Sequence, residues 1–448
     1  HILTSILFDY ISFYDIINKN HVTYILNISR ELIYMKTEFV TNNRNKVFKR
    51  MLDNSVLILF AGHAPYKRGD EKYEFSPDRN FYYVTGIDRE NQIIMFLKTE
   101  SARSATLYIE RDNGYLAKWV GANMTEDEAR LESGIEEISY LDKFYGDLSD
   151  TVFKNNIKHI YIDLENREWD AAESESLKFA NEFRKKYPAV DMIDAYPFFA
   201  DLRMIKEPYE LDLMRKAVKI TTDGLEAMMK NARPGMYEYE LEAYFDFVLT
   251  KNGVTDKAFK TIVASGERGT ILHYSKNNCM TKDGDLVLVD CGAQYGWYCG
   301  DITRTFPVNG KYTPLQKQIY DIVLEGQRRV IETIKPGVKF SRLNETLKEF
   351  YFEELKNLGL VSSPEEVSKY YFHGVSHYLG AETHDIGRYG DRTLVPGMVL
   401  TVEPGLYIEE YGIGIRTEDD ALVTENGCEL LSDGFMKTTE EIEEFMGK

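Results

Sequence analysis

Residues 289–305 read VDCGAQYGWYCGDITRT and carry two aspartates, Asp290 and Asp301, with no lysine or arginine between them. The flanking runs DLVLVD and YCGDITRTFPV are rich in β-branched and aromatic residues and are separated by a glycine-containing turn, so the stretch reads as a β-hairpin. With Tyr295-Gly296 as a two-residue loop, the pairs run outward from Gln294 and Trp297 until Asp290 faces Asp301. Directly opposed residues on one sheet face hold their Cβ atoms ~4.5 to 5.5 Å apart, where like charges repel. Such a pair either shares a proton or binds a cation, whereas another register would leave two solvated turn aspartates.

The carboxy-terminal half of the chain separates these readings, because it repeats itself. A helix from Pro208 leads to Pro234-Gly235, to a second helix in YEYELEAYFDFVLTKNG, and to β-rich sequence ending in the opening hairpin. A helix from near Pro314 leads in the same order to Pro336-Gly337, to the helix LNETLKEFYFEELKNLG, and to more β-rich sequence. GDLVLVDCG (284–292) aligns with GMVLTVEPG (397–405) at a constant offset of 397 − 284 = 113. Asp290 therefore corresponds to Glu403, and Asp301 is matched with Glu418 in the return strand GIGIRTEDDALV. A pseudo-twofold domain that packs its two halves together brings these four carboxylates to one place. They cannot all stay ionised there without cations, and two divalent ions match their charge.

At 448 residues the chain is longer than one hydrophobic core usually serves, so two domains are expected. From Met35, the β-rich runs SVLILFAG, NFYYVTG, QIIMFLK, ATLYIE and HIYIDL alternate with the helix-like stretches TEDEARLESGIEEI and SESLKFANEFRKKY. This pattern makes 35–200 an α/β domain and 201–448 the repeat-containing domain, within an α/β (α+β) fold class. The 73 acidic and 54 basic residues give a net charge of −19, which argues against nucleic-acid and anionic-membrane partners. Four cysteines without a CxxC pair read as reduced thiols, which fits a cytoplasmic location. Residues 1–34 differ in texture from the rest and precede Met35, so they are read as a non-native extension with translation beginning at Met35. Asp9 and Asp15 interrupt their apolar run and no basic region precedes it, so neither a signal peptide nor a membrane span is expected.

His273, His373, His377 and His384, four of the eight histidines, fall in the second domain. His373 and His377 are four apart in FHGVSHYLG, but Gly374, Val375 and Ser376 disfavour a regular helix, and no HExxH zinc motif is present. Arg416 shares parity with Glu418, so an extended strand sets its guanidinium on the face from which it orients that carboxylate.

The order Asp290, Asp301, His377, Glu403, Glu418 within VDCGAQYGWYCGDITR, HGVSHYLG, TVEPG and GIRTED resembles the five-ligand dinuclear centre of the pita-bread metallopeptidases. More narrowly, it resembles the proline-specific Xaa-Pro aminopeptidases (aminopeptidase P) and Xaa-Pro dipeptidases (prolidases). NNRNKVFKRM…SPDRNFYYVTGID is similar to the aminopeptidase P amino-terminal domain, which the methionine aminopeptidases lack.

The resemblance implies an amino-terminal domain followed by a pita-bread catalytic domain holding two divalent ions, Mn²⁺ first and Co²⁺, Zn²⁺ or Fe²⁺ as substitutes. By the same resemblance Asp301 and Glu418 bridge the ions, Asp290 binds one, and His377 and Glu403 complete the other. Glu403 also shuttles the proton, while His273 and His384 hydrogen-bond the substrate and His373 lies near the proline-side pocket. Oxygen-rich ligation with one imidazole suits a hard ion such as Mn²⁺. The implied partners are proline-containing peptides and further copies of the chain, as a dimer or tetramer. The leading expectation is an Xaa-Pro aminopeptidase, with prolidase second and a non-catalytic peptide-binding module third. Creatine amidinohydrolase shares the layout but lacks the ligand set.

Overall fold

The computed structural model describes residues 35–254 and 256–447, so the reading of residues 1–34 lies outside the described residues. The chain divides between Phe199 and Ala200 into two compact units. No helix among the described residues is long and apolar enough to cross a membrane.

In the amino-terminal unit, residues 35–50 are helical and six strands form one mixed sheet. They are β1 (Ser55–Phe60), β2 (Ile93–Lys98), β3 (Arg103–Ile109), β4 (Glu137–Tyr140), β5 (His159–Ile162) and β6 (Asp191–Asp194), in the order β4-β3-β2-β1-β5-β6. β2 runs antiparallel to β1 and β3, and the remaining pairs are parallel. Central β1 is buried along its whole length, which is why SVLILF carries no polar alternation. Helices Leu141–Lys154 and Glu175–Lys186 turn Phe144, Leu148, Phe179 and Phe183 into the core with Val56, Ile58 and Phe60.

Two local readings need correction. NFYYVTG is not a strand but most of a helix, Arg79–Thr85. The Asp78 side chain accepts from the Phe81 N–H and Gly86 closes the helix in a left-handed conformation, so caps at both ends override the β propensity of the aromatic residues. In TEDEARLESGIEEI only Glu126–Ser133 is helical, and the chain after Gly134 enters β4.

The second unit follows the repeat. Helices α1 (Pro208–Asn231) and α2 (Glu238–Lys251) pack together in the first half, and α3 (Pro314–Thr333) and α4 (Ser341–Asn357) in the second. Both α1 and α3 open on proline in the first turn, where its missing N–H costs nothing. The first half then supplies β7 (Ile262–Ser265), β8 (Leu286–Cys291) and β9 (Ile302–Pro307), ordered β9-β8-β7. The second supplies β10 (Val399–Val402), β11 (Gly405–Ile408), β12 (Ile413–Arg416), β13 (Asp419–Val423) and β14 (Cys428–Leu430), with sheet order β10-β13-β14 and a β11-β12 ribbon.

The opening stretch is a hairpin, but its register is shifted. Gly296 and Trp297, with φ of 56° and 66°, form the two-residue loop, and Tyr295 pairs with Tyr298. A loop with both φ angles positive matches the twist of the flanking strands, and here tryptophan occupies the second such position. Asp290 consequently faces Thr303 rather than Asp301. The shift is two residues, so parity is preserved and Asp301 stays on the face of Asp290, one diagonal step along.

Inside this hairpin, a Cβ on Gly292 would lie 2.0 Å from the Gly300 carbonyl oxygen and 2.9 Å from the Ala258 Cβ. Gly292→Ala is therefore expected to destabilise the chain by about 1 to 3 kcal/mol through overpacking. Urea unfolding checks this, and an unchanged midpoint would contradict the register.

Candidate metal centre

The two return strands meet along a seam. The Glu418 N–H donates to the Thr303 carbonyl at 3.0 Å, and the Thr305 hydroxyl both donates to the Arg416 carbonyl (2.9 Å) and accepts from its N–H (3.1 Å). In the second hairpin Val402 pairs with Asp419 and Gly405 with Arg416, a register that sets Glu403 level with Glu418. The halves are therefore not equivalent at their second acid. Register makes Thr303 the counterpart of Glu418 and Arg416 the counterpart of Asp301, which corrects the Asp301–Glu418 match read from the sequence.

The five expected ligands converge on this seam. Asp301, His377 and Glu418 each present a ligand atom, all within 4.8 Å of one another. His377 Nε2 lies 3.5 Å from Asp301 Oδ2 and 3.7 Å from Glu403 Oε1. Its Nδ1 donates to the Tyr378 carbonyl at 3.0 Å, which leaves Nε2 as the ring nitrogen turned toward the acids. Asp290 Oδ1 is buried with no hydrogen-bond partner. An orphaned carboxylate oxygen, an imidazole nitrogen turned inward and converging acids fit a hard divalent cation better than they fit a protonated apolar core.

Charge in the seam confirms the strain. Burial first, then the Asp290 charge, raises Asp301 well above the ordinary carboxylate range. Burial and the Asp301 charge do the same to Glu418, and burial lifts Glu403 to about 7 despite His377 and Arg416. Burial lowers His373 to about 4, with the Arg416 charge adding to the effect, so its imidazole is neutral near pH 7.

Arg416 does orient a carboxylate, but a different one. Its Nη2 lies 2.6 Å from Asp290 Oδ2, while Nη1 donates to the Tyr407 hydroxyl at 2.9 Å and Nε to Thr303 Oγ1 at 3.3 Å. Glu418 is held by Thr303, whose hydroxyl donates to its Oε2 at 2.7 Å. Strand parity identifies the face of Arg416 but not its neighbour across the seam.

The remaining histidines surround the acids. The His384 ring lies 4.4 Å from that of His377, at 73°. His273 is exposed, in the loop that follows β7. The loop carrying it is anchored by buried Glu238, which accepts from the Tyr274 hydroxyl (2.8 Å), Cys279 N (2.9 Å) and Ser265 N (2.9 Å). His373 Nδ1 is 2.7 Å from the Gly374 carbonyl and Nε2 is 2.9 Å from the Tyr407 hydroxyl, so both ring nitrogens are engaged by protein.

Tyr407, Thr303 and Asp420, whose Oδ2 accepts from the Asp301 N–H at 3.1 Å, are functional neighbours that sequence reading missed. For Asp420 a signal existed, because it stands two residues after Glu418 on an extended strand.

The chain is similar to known proteins over most of its length. Residues 212–425 match the model of metallopeptidase family M24, and residues 40–161 that of the aminopeptidase P N-terminal domain. The chain is 34% identical over 439 residues to the Xaa-Pro aminopeptidase of Haemophilus influenzae, covering 93% of this chain and 99% of that one. It is 34% identical over 428 residues to the Xaa-Pro aminopeptidase of Escherichia coli K12, covering 90% and 96%.

Two solved structures superpose closely. A candidate aminopeptidase P from Bacillus anthracis does so with TM-score 0.90 at 48% identity, covering 92% of this chain and 98% of that one. E. coli aminopeptidase P with the inhibitor Pro-Leu gives 0.85 at 33% identity, with the same coverage. The chain belongs to metallopeptidase family M24, in the aminopeptidase P branch that carries a dedicated amino-terminal domain.

Proposed function

We propose that the chain is a metal-dependent Xaa-Pro aminopeptidase, hydrolysing the first peptide bond of substrates with proline second. The observation that carries this reading is the convergence of buried Asp290, Asp301 and Glu418 with half-buried His377 and Glu403 in a chain matching Xaa-Pro aminopeptidases over nearly its whole length. Asp290, Asp301, His377, Glu403 and Glu418 would hold the divalent ions. The donor set favours Mn²⁺. When bound, such ions supply an activated water and a Lewis acid for the scissile carbonyl.

The protein's own groups do the rest. Arg416 fixes the Asp290 carboxylate and, through Tyr407, the neutral His373 ring. Glu403, with its two oxygens 3.7 Å from His377 Nε2 and His373 Nδ1, is the group placed to take a proton from the attacking water. It returns that proton to the leaving nitrogen, so the elements of water add across the broken C–N bond. His273 and His384, both exposed and the latter against the His377 ring, would hydrogen-bond the substrate.

An Xaa-Pro bond has no N–H to offer an extended-strand grip, so a dedicated pocket is needed. The Pro-Leu inhibitor of the E. coli relative begins with proline, as the product of such a cleavage would.

Hydrolysis of Xaa-Pro-Yaa tripeptides and Xaa-Pro dipeptides, with Mn²⁺ and after chelation, tests the reading. Turnover of the tripeptides that chelation abolishes is expected. Turnover of dipeptides alone would make the chain a prolidase.

The acid cluster also predicts a pH dependence. Glu403 has its folded pKa raised from an ordinary 4.5 to about 7, so the folded cation-free chain binds a proton that the unfolded chain has released. Stability of the cation-free form therefore falls as pH rises across that window. Divalent cations replace those protons, so Mn²⁺ is expected to raise the thermal midpoint more at pH 7.5 than at pH 5. An equal or larger gain at pH 5 would contradict the assignment.

A further inference from the structure

His384 is exposed, yet the residue that follows it is among the most buried acids of the chain. The Asp385 side chain is 1% exposed and holds two cations: Oδ1 lies 2.6 Å from Arg203 Nη2, and Oδ2 lies 3.1 Å from Lys206 Nζ. Those side chains are themselves only 4% and 0% exposed, and Glu382 stands 3.6 Å from the same Arg203 nitrogen. Both cations come from the segment leading into α1, some 180 residues earlier, and Lys206 N is tied to the Gly397 carbonyl at 2.8 Å.

The cluster closes a loop whose two ends are histidines. Asp385 N donates to the Tyr378 carbonyl at 2.9 Å, so residues 378–385 form a closed ring of backbone that follows His377 directly and carries His384. Cys299 N, just beyond the opening turn, donates to the Gly380 carbonyl at 2.8 Å. Packing is so close that a Cβ on Gly380 would lie 2.1 Å from Asp385 Oδ2. The outcome is the 4.4 Å separation of the His377 and His384 rings.

Stability alone does not account for this cluster. Taking three charged groups out of water costs about as much as their mutual attraction returns, and apolar side chains of similar volume commonly serve a fold equally well. The Asp385 carboxyl nevertheless favours its charged form there. Burial would push Asp385 upward, but Arg203 and Lys206 outweigh it and hold the carboxyl below its usual range.

We propose that Asp385, clamped by Arg203 and Lys206, is a positioning residue that fixes the exposed imidazole of His384 beside the metal ligand His377. The proposal rests on the reading of His384 as a substrate-facing group. It assigns the buried ions a role in catalysis rather than in holding the fold.

A double-mutant cycle on the Mn²⁺-loaded full chain tests it, with kcat and KM measured on an Xaa-Pro-Yaa peptide. The variants are His384→Ala, the apolar replacement Arg203→Met/Lys206→Met/Asp385→Leu, and the two combined, each checked for thermal midpoint and metal content. The apolar variant is expected to keep both of these near wild type and to lose at least about 10-fold in kcat with little change in KM. Added to His384→Ala, it should cost almost nothing further, because both changes remove one function.

Wild-type kcat in the apolar variant, or a loss that adds in full to that of His384→Ala, overturns the proposal. Should the triple variant fail to fold, Lys206→Met alone, which leaves the Arg203–Asp385 pair neutral, replaces it in the same cycle. Full activity in His384→Ala would overturn the reading of His384 itself. It would leave the assignment of the aminopeptidase activity standing, since that is judged on the wild-type chain.

Discussion

Five carboxylates, those of Asp290, Asp301, Glu403, Glu418 and Asp420, crowd one seam, in which the Arg416 guanidinium pairs with Asp290. Fully ionised they sum to −5, Arg416 returns +1, and −4 remains, the charge of two divalent cations. Without cations the seam keeps its balance with protons, which is why burial and like charge drive Asp301, Glu418 and Asp420 so far above the ordinary carboxylate range. A repulsive cluster of this size survives only on a scaffold that is stable without it, and the apolar core shared by the two helix pairs and both sheets provides that scaffold.

The duplication supplies the cradle, and its breakdown supplies the chemistry. Each half delivers an acid at the carboxyl end of the first strand of its hairpin, Asp290 in β8 and Glu403 directly after β10. Across from them the halves diverge, with Asp301 and Thr303 on one return strand and Arg416 and Glu418 on the other. A strictly symmetric domain would have repeated one charge pattern twice. The exchange of Asp301 for Arg416 at equivalent register positions sets a cation against Asp290 and lets Thr303 steady Glu418 across the seam.

Much of this was legible from residue order alone. The four long helices of the second unit start where Pro208 and Pro314 and the repeat place them, and the five-ligand set follows from two aligned strands and one histidine-rich loop. The hairpin register was misread because left-handed Trp297 is a rare choice for a tight turn. The site reading survived because an even shift preserves the face. NFYYVTG was misread because aromatic content favours a strand until Asp78 and Gly86 are recognised as caps. The contacts of Arg416 with Asp290 and Thr303, the anchoring of Glu418 by Thr303 and the Asp385 cluster join residues more than 100 positions apart, and periodicity carries no signal at that separation.

The central claim is that the acids at the seam are held together by two divalent cations. Metal content of the full chain purified with added Mn²⁺ and freed of excess ion by gel filtration tests it most directly. The charge balance predicts two Mn²⁺ per chain, whereas fewer than one ion per chain would show that protons, rather than metal, hold the cluster together.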